Sequence, residues 1–144
     1  MRLVNVYRES TAVDVLYALL QERQVETRIS HQWLPSASEH RKFVESKPYR
    51  YWYLIRPTTY GGAFVGELHA THLNEIGVCV FAKHRGHGYG TKALRLFMAR
   101  HRPLRAITSK RVARWLANIA IRNEPGKQFF AKMGFERIQE TFAL

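Results

Sequence analysis

The sequence predicts an α+β protein: a mixed, mostly antiparallel sheet of about six to seven strands flanked by about four helices. The chain has 144 residues, 46% of them apolar, which suits one compact domain over residues 1–144. Strand-like runs follow one another between residues 49 and 81, and helix-like segments lie on either side. The resulting order is β-α-α-β-β-β-α-β-α-β, which is typical of α+β proteins.

The first third of the chain predicts one strand and two helices. Leu3–Tyr7 alternates as a strand does, and an apolar stripe predicts a helix from residue 11 to about Gln24. Ser36 followed by Glu39 has the spacing of a capping box, in which each residue satisfies a main-chain N–H group of the other. A second helix is therefore expected from Ser36 to about Ser46.

Three successive segments predict an antiparallel meander. Residues Tyr49–Ile55 read YRYWYLI, and such aromatic and β-branched residues favour strands. Turn residues then separate Ala63–Thr71 from Ile76–Phe81, both of which have strand character. The aromatic side chains of Tyr51–Tyr53 line either the core or an acceptor pocket.

The last third predicts two helices and two strands. Gly88–His101 has helical periodicity and ends before a proline, and Pro125 suits the first turn of a helix that ends at Lys132. Trp115–Ile119 and Phe135–Phe142 have the composition of strands. The basic stretch Leu104–Val112 fits either a helical turn or a loop.

Composition excludes several classes of protein. No apolar run approaches the ~20 residues that span a bilayer, and no signal-peptide core is present, so we expect a cytoplasmic protein without a membrane segment. Cys79 has no cysteine partner and suits the core. His69 and His72 are three residues apart in a predicted strand and so point to opposite faces, which argues against a metal site.

Positive charge is concentrated in one segment. The net charge is +12, and residues 76–122 contain no Asp or Glu but eleven Lys or Arg, so that this segment holds +11 of the +12. Such asymmetry indicates an anionic partner, although a solvated basic surface is the alternative. The eleven are Lys83, Arg85, Lys92, Arg95, Arg100, Arg102, Arg105, Lys110, Arg111, Arg114 and Arg122.

A glycine-rich turn joins the third strand of the meander to the following helix. Lys83–Thr91 reads KHRGHGYGT and fits the pattern Arg-x-x-Gly-x-Gly. Glycines let the backbone approach an anion, and the first N–H groups of a helix carry partial positive charge. The turn therefore predicts a pyrophosphate site, with a simple tight turn as the alternative. Rossmann and Walker A patterns fit less well.

Two motifs resemble the GNAT superfamily of acyltransferases. Arg85-x-x-Gly88-x-Gly90 between strand and helix is similar to its acetyl-coenzyme A signature. The segment from Asn123 to Gly134-Phe135 is similar to its second motif, in the same order and at about the same distance. The resemblance covers roughly Tyr51 to the C-terminus and implies acetyl-coenzyme A (acetyl-CoA) as cosubstrate, with no metal.

The resemblance also implies which residues hold the cofactor. The main chain of the glycine turn would bind the pyrophosphate, the edge of the third meander strand would pair with the pantetheine amides, and two asparagines would bind the same arm. For the asparagines, a turn or helix-cap role is the alternative. The residues so assigned are Val78, Val80, Phe81, Arg85, Gly86, His87, Gly88, Tyr89, Gly90, Thr91, Asn118, Asn123 and Phe130.

Acyl transfer to an amine needs a base, because an alkylamine has a pKa near ~10.4. Glu75 is the candidate, since its position resembles that of the general base in the histone-acetyltransferase branch of the family. A solvated glutamate at a strand end is the alternative, and Glu67 is the second choice of base. Phe130 stands where the family often has a tyrosine acid and cannot donate a proton. A water or Tyr53 would replace it, or the thiolate would leave unprotonated.

These features predict an N-acetyltransferase that moves an acetyl group from acetyl-CoA to a primary amine by direct attack on the thioester. The acceptor, a small molecule or a protein, is not identified by any motif. One alternative is an amine carried on nucleic acid, such as aminoacyl-tRNA or a modified base, held by the basic segment 83–114. Another is a weakly catalytic module that binds coenzyme A or nucleic acid. We expect a monomer or homodimer.

Overall fold

Four strands form one antiparallel sheet in a computed structural model that describes residues 1–23, 33–58 and 62–144. The strands lie in the order of the sequence: β1 (Arg2–Asn5), β2 (Tyr51–Arg56), β3 (Gly66–Ala70) and β4 (Ile76–Val80). The helices are α1 (Ala12–Glu22), α2 (Ala37–Glu45), α3 (Tyr89–Arg100) and α4 (Glu124–Lys132). Short 3₁₀ helices cover Val6–Arg8 and Ala82–His84.

Side chains alternate along each strand, so both faces of the sheet carry apolar residues. Helices cover both faces. Leu68 is fully buried with Leu94 and Phe97 of α3 and with Phe130 of α4. On the opposite face, Leu54 is fully buried in a second cluster with residues of α1 and α2. The fold is thus the predicted α+β arrangement, with the meander at its centre.

The capping box predicted before α2 is present, whereas Thr11, the N-cap of α1, makes no side-chain cap hydrogen bond. Glu39 N–H donates to Ser36 Oγ over 3.2 Å, and Ser36 N–H donates to Glu39 Oε2 over 2.7 Å, so the capping box before α2 is confirmed. Helix α1 ends at Glu22, and the predicted end at Gln24 lies outside the described residues. Within the described residues, no helix is long and apolar enough to cross a membrane.

The predicted number of strands was wrong, since the described residues contain four rather than six to seven. Trp115–Ile119 supplies only one parallel bridge, between Leu116 and Glu75. Phe135–Phe142 forms no strand and leaves Phe142 87% exposed, because it has no neighbouring strand to pair with. The first strand ends at Asn5 rather than Tyr7, since the Asn5 side chain accepts the Tyr7 N–H and starts a 3₁₀ turn.

The basic stretch 104–112 is a hairpin-like loop rather than a helical turn. Ile107 and Arg111 form an antiparallel bridge around a turn in which Ser109 has a φ of 57°. Asn74, fully buried, holds both ends of the loop. Its Nδ2 donates to the carbonyls of Leu104 and Val112 over 2.9 and 2.8 Å, and its Oδ1 accepts from Leu104 N–H over 2.7 Å.

Candidate active site

Strand β4 is the edge of the sheet, and the segment after the basic loop meets it at one point. Ile76 N–H donates to the Leu116 carbonyl over 2.7 Å, and Leu116 N–H donates to the Asn74 carbonyl over 2.9 Å. Beyond Ile76 no described residue pairs with the outer edge of β4. The two segments therefore part after a single parallel bridge.

The parting leaves main-chain groups of β4 facing a gap. Main-chain direction alternates along a strand, so Val78 and Val80 present their polar groups on the same edge as Ile76. The Val80 carbonyl accepts a hydrogen bond from Arg85 Nε–H over 3.0 Å, which leaves Val78 open. Phe81 differs, since its N–H donates to the Val65 carbonyl over 3.0 Å and so faces β3.

The glycine turn follows β4 through the short 3₁₀ helix Ala82–His84 and leads into α3. Gly86 and Gly88 have φ angles of +78° and +74°, a region that glycine adopts without strain, and a Cβ on either would have no protein atom within 4 Å. Gly88 caps α3 without a side-chain hydrogen bond, and the first helical bond runs from Lys92 N–H to its carbonyl over 3.0 Å. Like the start of any α-helix, the first turn of α3 has N–H groups without helical partners.

An exposed turn with open space and unpaired N–H groups fits a phosphate group. His87 stabilises the turn, because its Nδ1 lies 2.9 Å from the Arg85 carbonyl and its ring stacks on Tyr89 at 5.9 Å. Thr91 lies in the first turn of α3 beside these groups. The glycine turn and the open edge of β4 thus form one continuous surface.

Helix α4 closes the far side of this surface. Asn123 caps it, with Oδ1 accepting from Gly126 N–H over 3.0 Å. A Cβ on Gly90 would lie 3.3 Å from the Phe129 ring and 3.5 Å from Val78, so a glycine at position 90 lets α3 approach α4 closely. Phe130 is 8% exposed and packs into the core. The sequence analysis did not assign Phe129 to the site. The one sequence feature related to it is the glycine at position 90, which the Phe129 ring contacts.

Glu75 forms the parallel bridge with Leu116, after which β4 and the following segment separate; we call this place the parting point. Its Oε1 accepts from Asn118 Nδ2–H over 2.8 Å and its Oε2 accepts from Thr71 Oγ1–H over 3.3 Å. The structure thus brings together two residues that the sequence analysis assigned separately, one as base and one as cofactor ligand. Each carboxylate oxygen keeps a second lone pair for another donor.

Glu67 belongs to a different, buried cluster. It lies on the α1/α2 face and accepts from Trp52 Nε1–H over 2.9 Å, while His69 Nδ1 lies 3.1 Å from the same oxygen. The His69 ring stacks on Tyr49 at 4.2 Å and occupies the space left by Gly77. Burial, followed by the Glu67 charge, raises the pKa of Tyr49 to about 12. The Oε2 oxygen of Glu67 thus already has two hydrogen-bond partners, Trp52 and His69.

Two further residues lie away from the parting point. The Tyr53 hydroxyl lies 3.1 Å from His101 Nε2, beyond the C-terminal end of α3 and so at the opposite end of that helix from the glycine turn. Burial raises the pKa of Tyr53 and lowers that of His101.

Cys79 is partly buried in β4, and burial raises the pKa of its thiol to about 11. In the described ranges, no group of three His, Cys, Asp or Glu side chains suits a metal.

The eleven cations of residues 76–122 are not neutralised within the described part of the chain. All its ion pairs involve carboxylates and cations outside that segment. Arg102 and Arg111 donate to main-chain carbonyls, which fixes their guanidinium groups without cancelling their charge. The segment therefore presents uncompensated positive charge.

The architecture defines an α+β fold also found in acetyltransferases. It is similar to a solved structure described as "Crystal structure of a probable acetyltransferase", with a TM-score of 0.61 and 18% sequence identity over 100% of this chain and 97% of the other. At that identity the likeness shows the fold alone. No curated protein matches the chain.

The sequence itself carries the assignment to a family. A profile of the acetyltransferase (GNAT) domain matches residues 2–136, nearly the whole chain. The chain therefore belongs to the GNAT acetyltransferase family, whose members transfer acetyl groups and generally use acetyl-CoA. The expected resemblance to this family is confirmed.

Proposed function

We propose that this protein is an N-acetyltransferase that takes the acetyl group of acetyl-CoA and transfers it to a primary amine. The observation that carries the proposal is the continuity between the open edge of β4 and the glycine turn at the start of α3. An extended chain with amide groups fits a strand edge, and a pyrophosphate fits a helix start. Coenzyme A has both parts in that order.

In this proposal the chain holds the cosubstrate mainly through its backbone. N–H groups of the glycine turn and of the first turn of α3 bind phosphate oxygens, with Tyr89 and Thr91 among the donors. The Val78 main chain pairs with an amide of the pantetheine arm. Asn123 holds the start of α4 beside that arm while it caps the helix. Phe129 and Gly90 keep α3 and α4 close enough to enclose it.

Acetyl-CoA supplies an acetyl group activated as a thioester. The chain supplies a base, because an alkylamine with a pKa near ~10.4 is almost wholly protonated at neutral pH. Glu75 takes that role: it lies at the parting point, and each of its carboxylate oxygens can accept one more hydrogen bond. The ammonium group gives one proton to Glu75, and the neutral amine attacks the acetyl carbon directly. The second nitrogen proton leaves to solvent as the carbon–sulfur bond breaks.

The departing thiolate has no obvious side-chain acid. Phe130 occupies the position where a tyrosine is common in the family, and Tyr53 is bonded to His101. A thiol has a pKa of ~8.5, so its thiolate is a tolerable leaving group without an acid. We therefore propose that the thiolate leaves unprotonated or takes its proton from water.

A nucleic-acid-linked amine is the second candidate acceptor. The observation in its favour is the uncompensated charge of residues 76–122. Affinity for RNA should then fall steeply with salt, and replacing the exposed Arg100, Arg105 and Arg114 with Ser should flatten the logarithmic salt slope by about one for each phosphate that these arginines neutralise. Replacing Arg41 and Lys42 on α2 is the control. Absence of salt-sensitive binding at about 50 mM salt excludes this candidate.

Native mass spectrometry of the purified protein, before and after addition of acetyl-CoA, tests the main proposal. A one-to-one complex with coenzyme A or acetyl-CoA supports it. A protein that takes up neither, at concentrations up to about the 1 mM upper end of usual KM values, refutes it.

A further inference from the structure

A small cavity lies beside Glu75, at the end of β4 opposite the glycine turn. Its volume is about 250 Å³, below the usual range for drug-sized ligands of roughly 300–1,000 Å³. Leu73, Ile107 and Val112 form apolar parts of its wall, and Glu75, Lys110 and Arg111 contribute charged groups. The cavity thus suits a small ligand that has both apolar and charged parts.

Arg111 makes two hydrogen bonds to main-chain carbonyls in the cavity wall. Its Nε–H donates to the Arg105 carbonyl over 2.8 Å, and its Nη1–H donates to the His72 carbonyl over 3.0 Å. Both acceptors are neutral, so the positive charge is not cancelled. A guanidinium group has five N–H donors, so three remain for a ligand.

The wall itself is fixed by Asn74. Because this fully buried side chain bonds Leu104 and Val112, both ends of the loop that carries Lys110 and Arg111 are tied to the start of β4. A site whose charged groups are held in place before binding loses less entropy when a ligand arrives.

Opposite charges share this cavity without neutralising each other. Among the described residues, Glu75 forms no ion pair with Lys110 or Arg111, although all three line the same space. The Glu75 carboxylate receives hydrogen bonds from Asn118 and Thr71, which are neutral. One wall therefore offers a site for an ammonium group and another offers a site for an anion.

We propose that this cavity binds the acceptor, and that the acceptor is a small zwitterion with its amine at Glu75 and its carboxylate or phosphate at Arg111 and Lys110. The role as acceptor rests on the proposed function, whereas the binding of a zwitterion does not. Apolar carbon atoms of the ligand contact Leu73, Ile107 and Val112. The nucleic-acid alternative differs, since it needs a polyanion rather than a small molecule.

Calorimetric titration without acetyl-CoA tests the binding. Leucine is compared with leucinamide, which lacks the anion, and with 4-methylpentanoate, which lacks the amine. O-phosphoethanolamine and ethanolamine form a second pair, which distinguishes a phosphate from a carboxylate. We expect at least one zwitterion to bind about tenfold or more tightly than each comparison compound that lacks one of its charged groups. The reason is that the zwitterion forms charge-assisted hydrogen bonds at both ends.

Variants assign the preference to residues. Lys110→Ala and Arg111→Lys should each make the protein less selective for leucine over leucinamide, or for O-phosphoethanolamine over ethanolamine. Glu75→Gln should reduce the preference of leucine over 4-methylpentanoate. Lys42→Ala, an exposed cation on α2, is the control for net charge and should leave both ratios unchanged. At position 111 lysine is chosen rather than alanine, because it keeps the charge and loses only the planar donors of the guanidinium group.

Equal binding of zwitterions and their single-charge partners, or no binding of either zwitterion, overturns the inference. An equal loss of preference in Lys42→Ala also overturns it, because the effect would then be one of net charge. Acetyl-CoA binding is measured separately on the same protein. If the protein does not bind acetyl-CoA but still prefers zwitterions, the proposed function is refuted. If it binds acetyl-CoA but does not prefer zwitterions, the proposed zwitterion site is refuted.

Discussion

Asn118 donates a side-chain hydrogen bond to Glu75 over 2.8 Å, at the point where β4 and the following segment part. Asn118 reaches this position because Leu116, two residues earlier, pairs with Ile76. The bond orients the carboxylate that we propose as the base. We therefore expect Asn118 to act on the base, whereas the family resemblance implies a contact with the cofactor.

Glu75→Gln should lower the rate of acetyl transfer most at pH 6 to 8, by about 10²- to 10⁴-fold. The deficit should shrink towards pH ~10, where solvent deprotonates the amine. A pH–rate profile of both proteins provides the measurement. Profiles of the same shape would remove Glu75 from the mechanism.

Asn118→Ala should reduce kcat while leaving the affinity for acetyl-CoA within about twofold, since a lost hydrogen bond to a carboxylate costs roughly 1.5–3 kcal/mol at the base alone. Steady-state kinetics and calorimetry separate the two effects. Asn118→Asp should be worse, because a second carboxylate would repel Glu75. If affinity falls and kcat does not, Asn118 binds the cofactor as the family resemblance implied.

Gly88→Val should abolish acetyl-CoA binding, because its side chain would enter the open space at the start of α3. The φ of +74° also strains any β-branched residue, so some loss of stability is expected. Gly134→Val is the matched control, since Gly134 has a φ of +86° and equally open surroundings but lies after α4. Calorimetry should show binding in the control only. Equal affinity in Gly88→Val and the native protein would contradict the phosphate site.

Asn74→Gly should destabilise the protein by about 2–4 kcal/mol, because it removes a fully buried side chain and three hydrogen bonds to the main chain of Leu104 and Val112. Glycine tolerates the φ of 65° found at this position, so the loss does not include backbone strain. Ser109→Gly, at an exposed position with a φ of 57°, should change stability by less than about 0.5 kcal/mol. Urea denaturation measures both. Equal effects would show that Asn74 does not hold the loop.

Local signals in the sequence were sufficient for the helices and the glycine turn. The capping box at Ser36 and Glu39 and the glycines before α3 act on groups a few residues away, so their effect is visible in the sequence. Strand pairing depends on distant partners. Phe135–Phe142 has the residues of a strand, but no strand in the described part of the chain pairs with it.

The candidate site was predicted in its parts but not in its connections. Glu75, Asn118 and the glycine turn were each proposed from the family resemblance, whereas the bond between Glu75 and Asn118 spans 43 residues of sequence. Asn74 and Arg111 act through main-chain carbonyls that no sequence pattern marks. Phe129 was missed because the family motif directs attention to Phe130, which the fold buries.

The most direct test of the central claim is the release of free thiol from acetyl-CoA in the presence of a panel of amines, with mass spectrometry of the products. We expect thiol release that depends on the amine, together with an equal amount of acetylated amine. Binding of acetyl-CoA without amine-dependent thiol release would contradict the account and would identify the protein as a coenzyme A-binding module.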